Sequence, residues 1–344
     1  MSHDNGVPRV LAALDKFRDT ATARDLAAAV ADAAGGAGWT ADEAPMSDGG
    51  EGMLDVFGGP NRSTTVTGPL GRVVDAPWRL DGSTAVIESA RACGLVLAGG
   101  AEGNDPITAT TAGVGELLTA ALDAGARHVI VGLGGSASTD GGLGALRAGP
   151  RPGRMKAVDL VVACDVETEF TAAARVFAPQ KGATPKQIEL LERRLESLLD
   201  GYRSDYGVDL TGVAGAGAAG GLGGGLVVLG GRVVRGVDAV ADEVELDDRI
   251  EAADLIVTGE GFLDAASFAG KVVGGIVERA GWADKPVLIV VGDADDEGRA
   301  AATALDPAPR LVVLTDAYDE ERARQDTLAL VSDEVRRYLE DFRR

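Results

Sequence analysis

The stretch His128-Val-Ile-Val-Gly-Leu-Gly-Gly-Ser-Ala-Ser-Thr-Asp-Gly-Gly142 carries the pattern on which the reading of this chain turns. Its β-branched start, through Val131, fits a buried strand. The strand drives into a turn where glycines alternate with Ser136, Ser138, Thr139 and Asp140. Glycine permits positive φ and lets a ligand come close to main-chain N–H groups. Hydroxyls and a carboxylate beside such a turn can hold phosphate oxygens and a metal ion, so Gly134, Gly135, Ser136 and Asp140 are candidate ligands. A plain Gly/Ser surface turn is the alternative. Recurrence weighs against it, because four further glycine loops bearing an acid or a lysine follow strand-like runs elsewhere.

Upstream, Thr110 to Asp123 reads as an amphipathic helix ended by Gly125, feeding the strand. From Ser63 to Ala90, short β-branched runs separated by Gly-Pro-Leu-Gly and Asp-Gly-Ser predict a β-meander. Ser47-Asp-Gly-Gly-Glu-Gly52 cannot pack a core, and Asp48 and Glu51 within it suit Mg²⁺ coordination or acceptance of a hydroxyl proton. Arg9-Val-Leu-Ala-Ala-Leu14 predicts a buried strand, preceded by a loose tail over residues 1–8. Charge appears abruptly after that strand, at Asp15-Lys-Phe-Arg-Asp19. Open α/β sheets bind ligands at that edge, so Asp15, Lys16 and Arg18 are candidates for the site. Thr22-Ala-Arg-Asp25 has the form of a capping box and opens an Ala-rich helix that stops at Gly35-Gly36.

Downstream, Asp159 to Ala163 predicts another buried strand ending in Cys164-Asp165. Lys181, between Gln180 and Gly182, is a basic candidate for a phosphate contact, and Thr184-Pro-Lys-Gln187 starts a helix. Gly215-Ala-Gly-Ala-Ala-Gly220 matches the dinucleotide fingerprint literally, yet Val208 to Gly212 is a poor strand, so the match is set aside. A close-packed or phosphate-facing glycine helix, including Gly217, fits better, with a flexible hinge as the alternative. From Asp254 onward, strand-like runs alternate with helical ones, predicting parallel strands, and a final charged helix starts at about Glu320. Thr258-Gly-Glu-Gly261, then Asp264 and Gly270-Lys271 at a helix start, form a natural anion site. Glu260 and Asp264 are placed to hold a counter-metal.

The chain has 344 residues and a formal charge of −21, which argues against nucleic acid and anionic membrane surfaces as partners. Two cysteines make no disulfide framework and two histidines make no multi-histidine metal site. No apolar run approaches the roughly 18 residues of a membrane span, and a soluble cytoplasmic protein is expected.

Taken in order, Asp15-x-Phe17, Asp48-Gly-Gly-Glu-Gly52, Thr67-Gly-Pro-Leu-Gly71, Gly134-Gly-Ser-Ala137 with Asp140-Gly-Gly142, Ala163-Cys-Asp165, Pro179-Gln-Lys-Gly182, Gly215 to Gly221 and Thr258-Gly-Glu-Gly261 resemble the bacterial glycerate kinase type 1 family. The resemblance runs from about residue 9 to 315. It implies an α/β fold of two domains with the active site in the cleft between them. One is a discontinuous Rossmann-like parallel-sheet domain, 1–54 with 240–344, and the other an inserted α+β domain, 55–239. It implies ATP- and Mg²⁺-dependent phosphorylation of D-glycerate, or a related small hydroxy acid, to 2-phosphoglycerate. The roles that follow are catalytic for Asp48, Lys271 and Asp165, and metal-binding for Glu51 and Asp140. Gly134, Gly135, Ser136, Lys181, Gly217 and Gly259 would hold the nucleotide, and Asp15, Arg18, Glu260 and Asp264 the acceptor. A homodimer is left open. Departures from the family pattern are Phe262 and Ala266, where it has arginine and glutamine, Ala112 for an arginine, and a short connector over 149–158. If these line the site, a second reading gains: a silent relative that binds a metabolite or protein partner without turnover.

Overall fold

A computed structural model describes residues 7–342, so the expected tail lies outside the described residues as far as residue 6. The chain begins with β1 (Arg9–Ala12) and β2 (Thr40–Glu43). It then forms β3 (Arg62–Thr67), β4 (Val73–Asp81), β5 (Thr84–Glu88), β6 (His128–Gly132), β7 (Asp159–Cys164) and β8 (Arg232–Arg235). It ends with β9 (Leu255–Thr258), β10 (Phe262–Leu263), β11 (Val287–Val291), β12 (Asp293–Ala294) and β13 (Arg310–Val313). Two compact units result: one runs to Asp48 and resumes at Val240, and the other is Gly49–Ala239.

In the discontinuous unit, five strands make a wholly parallel sheet in the order β13-β11-β9-β1-β2. Val10 pairs with Ala41 on one side and Leu255 on the other, and Leu288 pairs with Val257. β9 and β11 are buried at every position because both faces are covered. Helices Ala23–Gly36 and Thr327–Phe342 pack on one face, where Val10, Val30, Val257, Val290, Leu330 and Leu339 share a core. Helices Leu246–Ala252 and Val272–Trp282 contact the strands from the other face. The Thr22 hydroxyl accepts the Asp25 N–H at 3.1 Å, capping the first helix as its sequence predicts. The edge strand β2, Thr-Ala-Asp-Glu, carries no apolar pattern and is a strand only because β1 offers it a ladder. The expected single C-terminal helix is two, Glu320–Gln325 and Thr327–Phe342. Next to the break, the Thr327 hydroxyl donates to Ala323 O at 2.7 Å, a local bond that competes with the helical ladder.

The other unit holds a six-stranded sheet in the order β3-β4-β5-β6-β7-β8. β3, β4 and β5 form the antiparallel meander, and β5 to β8 are parallel. Trp78, Ile87, Leu117, Val129, Val131, Val162 and Leu222 lie in its core. No strand leads directly into Gly215, so the dinucleotide fingerprint has no βαβ frame there. The glycine-rich segment instead forms a kinked helix, Ala218–Val228. At Gly220, φ is +73° and a Cβ would lie 2.0 Å from Ser138 O, so this helix is glycine-rich in order to pack against the Gly134–Gly142 loop. Among the described residues no helix is long and apolar enough to cross a membrane.

Candidate active site

In the parallel sheet the order reverses at β1, with β2 on one side and β9, β11 and β13 on the other. Ligands bind outside the carboxyl ends of the strands at such a point. A cavity of about 450 Å³ opens there within the discontinuous unit. Ladder bonds continue past the strands and set its walls. Ala13 N–H donates to Val257 O at 2.8 Å and Asp15 N–H to Gly259 O at 3.0 Å. Ala44 N–H donates to Ala12 O at 2.8 Å and Met46 N–H to Leu14 O at 2.9 Å. Those bonds bring Asp15, Asp48 and Glu260 to one rim. Gly259 does not line the cavity. A Cβ on it would lie 1.8 Å from Val290 O, so glycine lets the chain leave β9 beneath β11. Beyond it, Ser267 N–H donates to Asp264 Oδ1 at 2.8 Å and Asp264 N–H to Ser267 Oγ at 3.0 Å. This turn delivers Lys271 to the N-terminus of helix Val272–Trp282, with Nζ 3.8 Å from Asp264. Asp15, Arg18, Asp48, Glu260, Asp264 and Lys271, all expected from sequence, line this one cavity.

Asp15 is 8% exposed. Its Oδ1 accepts the Lys16 N–H at 2.7 Å, and the Lys16 ammonium lies 3.7 Å away. Burial pushes its carboxyl up to about 7; Lys16 opposes the shift, and Asp48 and Glu260 add to it. Burial also raises Glu260, whose Oε1 is buried without a hydrogen-bond partner. A carboxyl near 7 in a cavity wall is suited to accepting a proton at physiological pH.

Sequence reasoning missed Asp293, Thr315, Glu320 and Arg324, which line the same cavity. Asp293 and Thr315 follow the carboxyl ends of β11 and β13 closely, so the rule that finds Asp15 would have found them. The Thr315 hydroxyl donates to Asp293 Oδ1 at 2.6 Å. Arg324 carries no such signal. Phe262 lines the cavity and is 50% exposed, whereas Ala266, Ala112 and the 149–158 connector are not part of its lining.

The other expected residues lie in the inserted unit. Asp140 has its oxygens occupied by protein donors: the Thr111 N–H and hydroxyl at 2.9 Å, Gly142 N–H at 3.0 Å and Gly144 N–H at 3.1 Å. Lys181 is buried, and its Nζ donates to Ser138 O at 2.5 Å; burial pulls its pKa down to about 8. Asn104 Nδ2 donates to Ala137 O and Lys181 O at 3.0 and 2.9 Å. These three side chains hold the Gly134–Gly142 loop in shape. Ser136 Oγ bonds Ser138 Oγ at 2.9 Å, and Gly217 N–H donates to Thr168 O at 2.8 Å. Gly134 N–H reaches Ser89 Oγ at 3.4 Å, and Gly135 adopts φ +55°. Glu51 and Asp165 are exposed. Glu88, also missed, is buried and accepts the Gly52 and Leu54 N–H groups at 3.0 and 2.9 Å, which pins the loop bearing Glu51. Among the described residues no group of three or more His, Cys, Asp or Glu side chains is arranged to hold a metal.

The chain matches the model of the glycerate kinase family over residues 10–149 and 150–340. It is 34% identical to a glycerate kinase of Bacillus subtilis (strain 168), over 94% of this chain and 97% of that protein. It is 37% identical to glycerate 2-kinase of Escherichia coli (strain K12), over 74% of this chain and 76% of the relative. An uncharacterised protein of Mycobacterium tuberculosis is 42% identical over 83% of this chain and 78% of its own length. A crystal structure described as "putative glycerate kinase 2" from Salmonella typhimurium LT2 superposes with a TM-score of 0.79 at 32% identity, covering 98% of this chain and 97% of the other. With most of its length matched at this level, in sequence and in fold, the chain belongs to the glycerate kinase family and is a kinase.

Proposed function

We propose that this kinase transfers the γ-phosphoryl group of ATP to D-glycerate, or a closely related small hydroxy acid, at the 2-hydroxyl. The observation that carries the reading is the cavity at the carboxyl edge of the parallel sheet. There the carboxylates Asp15, Asp48 and Glu260 face the same space as Lys271 at a helix N-terminus. Relatives named glycerate kinase and glycerate 2-kinase support the acceptor and the position of transfer. Phosphoryl transfer needs positioning and neutralisation of charge more than covalent chemistry.

Asp15 takes the proton of the acceptor hydroxyl, because its environment keeps its proton affinity close to that needed at neutral pH. Lys271 and the N–H groups opening its helix stabilise the transferring phosphoryl oxygens. Magnesium fits this donor set. It prefers one or two carboxylates plus water and phosphate oxygens to an all-protein cage, and Glu260 offers a buried oxygen without a partner. Glu260 and Asp48 would hold the ion, which when bound offsets charge on the phosphates. In the inserted unit, Gly134, Gly135 and Ser136 form the turn assigned to the nucleotide, with Lys181 and Asp140 keeping that loop in place.

The test is coupled ADP release with MgATP, comparing D-glycerate with no acceptor and with a panel of small hydroxy acids. D-Glycerate drives ADP release and gives the 2-phosphate by NMR, and Lys271→Ala or Asp48→Asn lowers turnover by about 100-fold or more. Silence across the panel in a folded protein would sink the proposal and leave a metabolite-binding protein.

A further inference from the structure

We propose that Arg324, together with Arg18, holds the carboxylate of the acceptor and so selects hydroxy acids over neutral alcohols. The inference rests on the kinase reading above and adds the residues that discriminate among acceptors. Arg18 belongs to the loop after β1 and Arg324 to the helix Glu320–Gln325, yet both line the one cavity with exposed side chains.

The charges of the cavity identify what those two arginines can hold. Its lining carries seven carboxylates (Asp15, Asp19, Asp48, Glu260, Asp264, Asp293 and Glu320) against four cationic side chains. Two of the four already face carboxylates, Lys16 with Asp15 at 3.7 Å and Lys271 with Asp264 at 3.8 Å. Arg18 and Arg324 make no side-chain hydrogen bond or ion pair among the described residues. Elsewhere in the chain Arg79, Arg249 and Arg299 are each paired with an aspartate. A guanidinium presents two parallel N–H donors that match a carboxylate. An acidic cavity of about 450 Å³ disfavours a bare triphosphate and accommodates a small monoanion. The unengaged cations are therefore matched to the single charge of a hydroxy acid. The hydroxyl of the same acid is left for the Asp15 side of the cavity.

The experiment compares D-glycerate with its carboxamide, which keeps both hydroxyls and loses the charge, in the wild type and in Arg324→Gln, Arg324→Lys and Arg18→Gln. Arg324→Gln raises KM for D-glycerate by about 10- to 100-fold, with kcat within a few-fold. It lowers kcat/KM for the carboxamide by a clearly smaller factor, because the amide keeps an acceptor oxygen and loses only the charge, so the preference for the acid shrinks. Arg324→Lys recovers part of the loss, and Arg18→Gln moves in the same direction. Equal losses on both acceptors, an unchanged KM for D-glycerate, or a rise confined to the KM for ATP would each overturn the assignment. If the wild type turns over neither acceptor, D-glycerate is not the acceptor of the kinase, and titration calorimetry decides the arginines separately. Binding of D-glycerate that is lost in Arg324→Gln supports the clamp, and binding that survives refutes it.

Discussion

At Asp15, burial and the Asp48 and Glu260 charges outweigh Lys16, and the carboxyl sits at about 7 instead of 3.8. For an acid whose folded pKa is raised, the unfolded chain releases its proton first as pH rises. Stability therefore falls between about pH 4 and 7 and the loss persists above that window. Asp15→Asn removes the penalty. Without magnesium or substrate, it melts at least about 2 °C higher than the wild type at pH 7.5 and shows no such gain at pH 4, by calorimetry. A substitution that lowers the melting temperature at both pH values would contradict this account of the site. The position of Asp15 was legible as the first charge after a buried run. Its proton affinity was not, because that depends on Asp48 and Glu260, which are distant in sequence. Arg324 was illegible for a related reason: a charged residue in a charged helix shows no sign of facing a cavity.

Helices with local caps were the elements easiest to read. Thr22 with Asp25, and Thr184 with Gln187, satisfy their own helix ends over three residues, so the signal and the structure lie in the same few positions. The strands β2 and β8 were not read, since Thr-Ala-Asp-Glu and Arg-Val-Val-Arg become strands through pairing with β1 and β7. The glycine-rich helix is intermediate: its composition announced a special backbone, and only its partner loop decided which kind. Two glycine substitutions separate these cases. Gly220→Ala sets a Cβ against Ser138 O at positive φ and destabilises by about 3 kcal/mol or more. Gly201→Ala, inside the helix Pro185–Tyr206 with open space around it, stabilises by up to about 1 kcal/mol. Urea denaturation of the two variants checks both signs.

For the whole molecule, a net charge of −21 is a standing self-repulsion. Salt screens it over about 10 Å at 0.1 M, so the thermal midpoint rises between about 20 mM and 300 mM NaCl; a falling midpoint would mean that the ion pairs dominate. Sequence alone determined the alternation of buried strands and helices, the meander, the glycine loops and the order of motifs that marks the family. All of these are written in neighbouring residues, through hydrophobic period, turn chemistry and capping. The tertiary structure decided which of the acids and bases share a cavity. Parallel pairing of β1, β2, β9, β11 and β13 carries their carboxyl ends to one edge, so Asp15, Asp48, Glu260, Asp293 and Thr315 meet there. It also turned Asp140 and Lys181 inward as supports of a loop, because a buried charge must find protein partners when water is excluded.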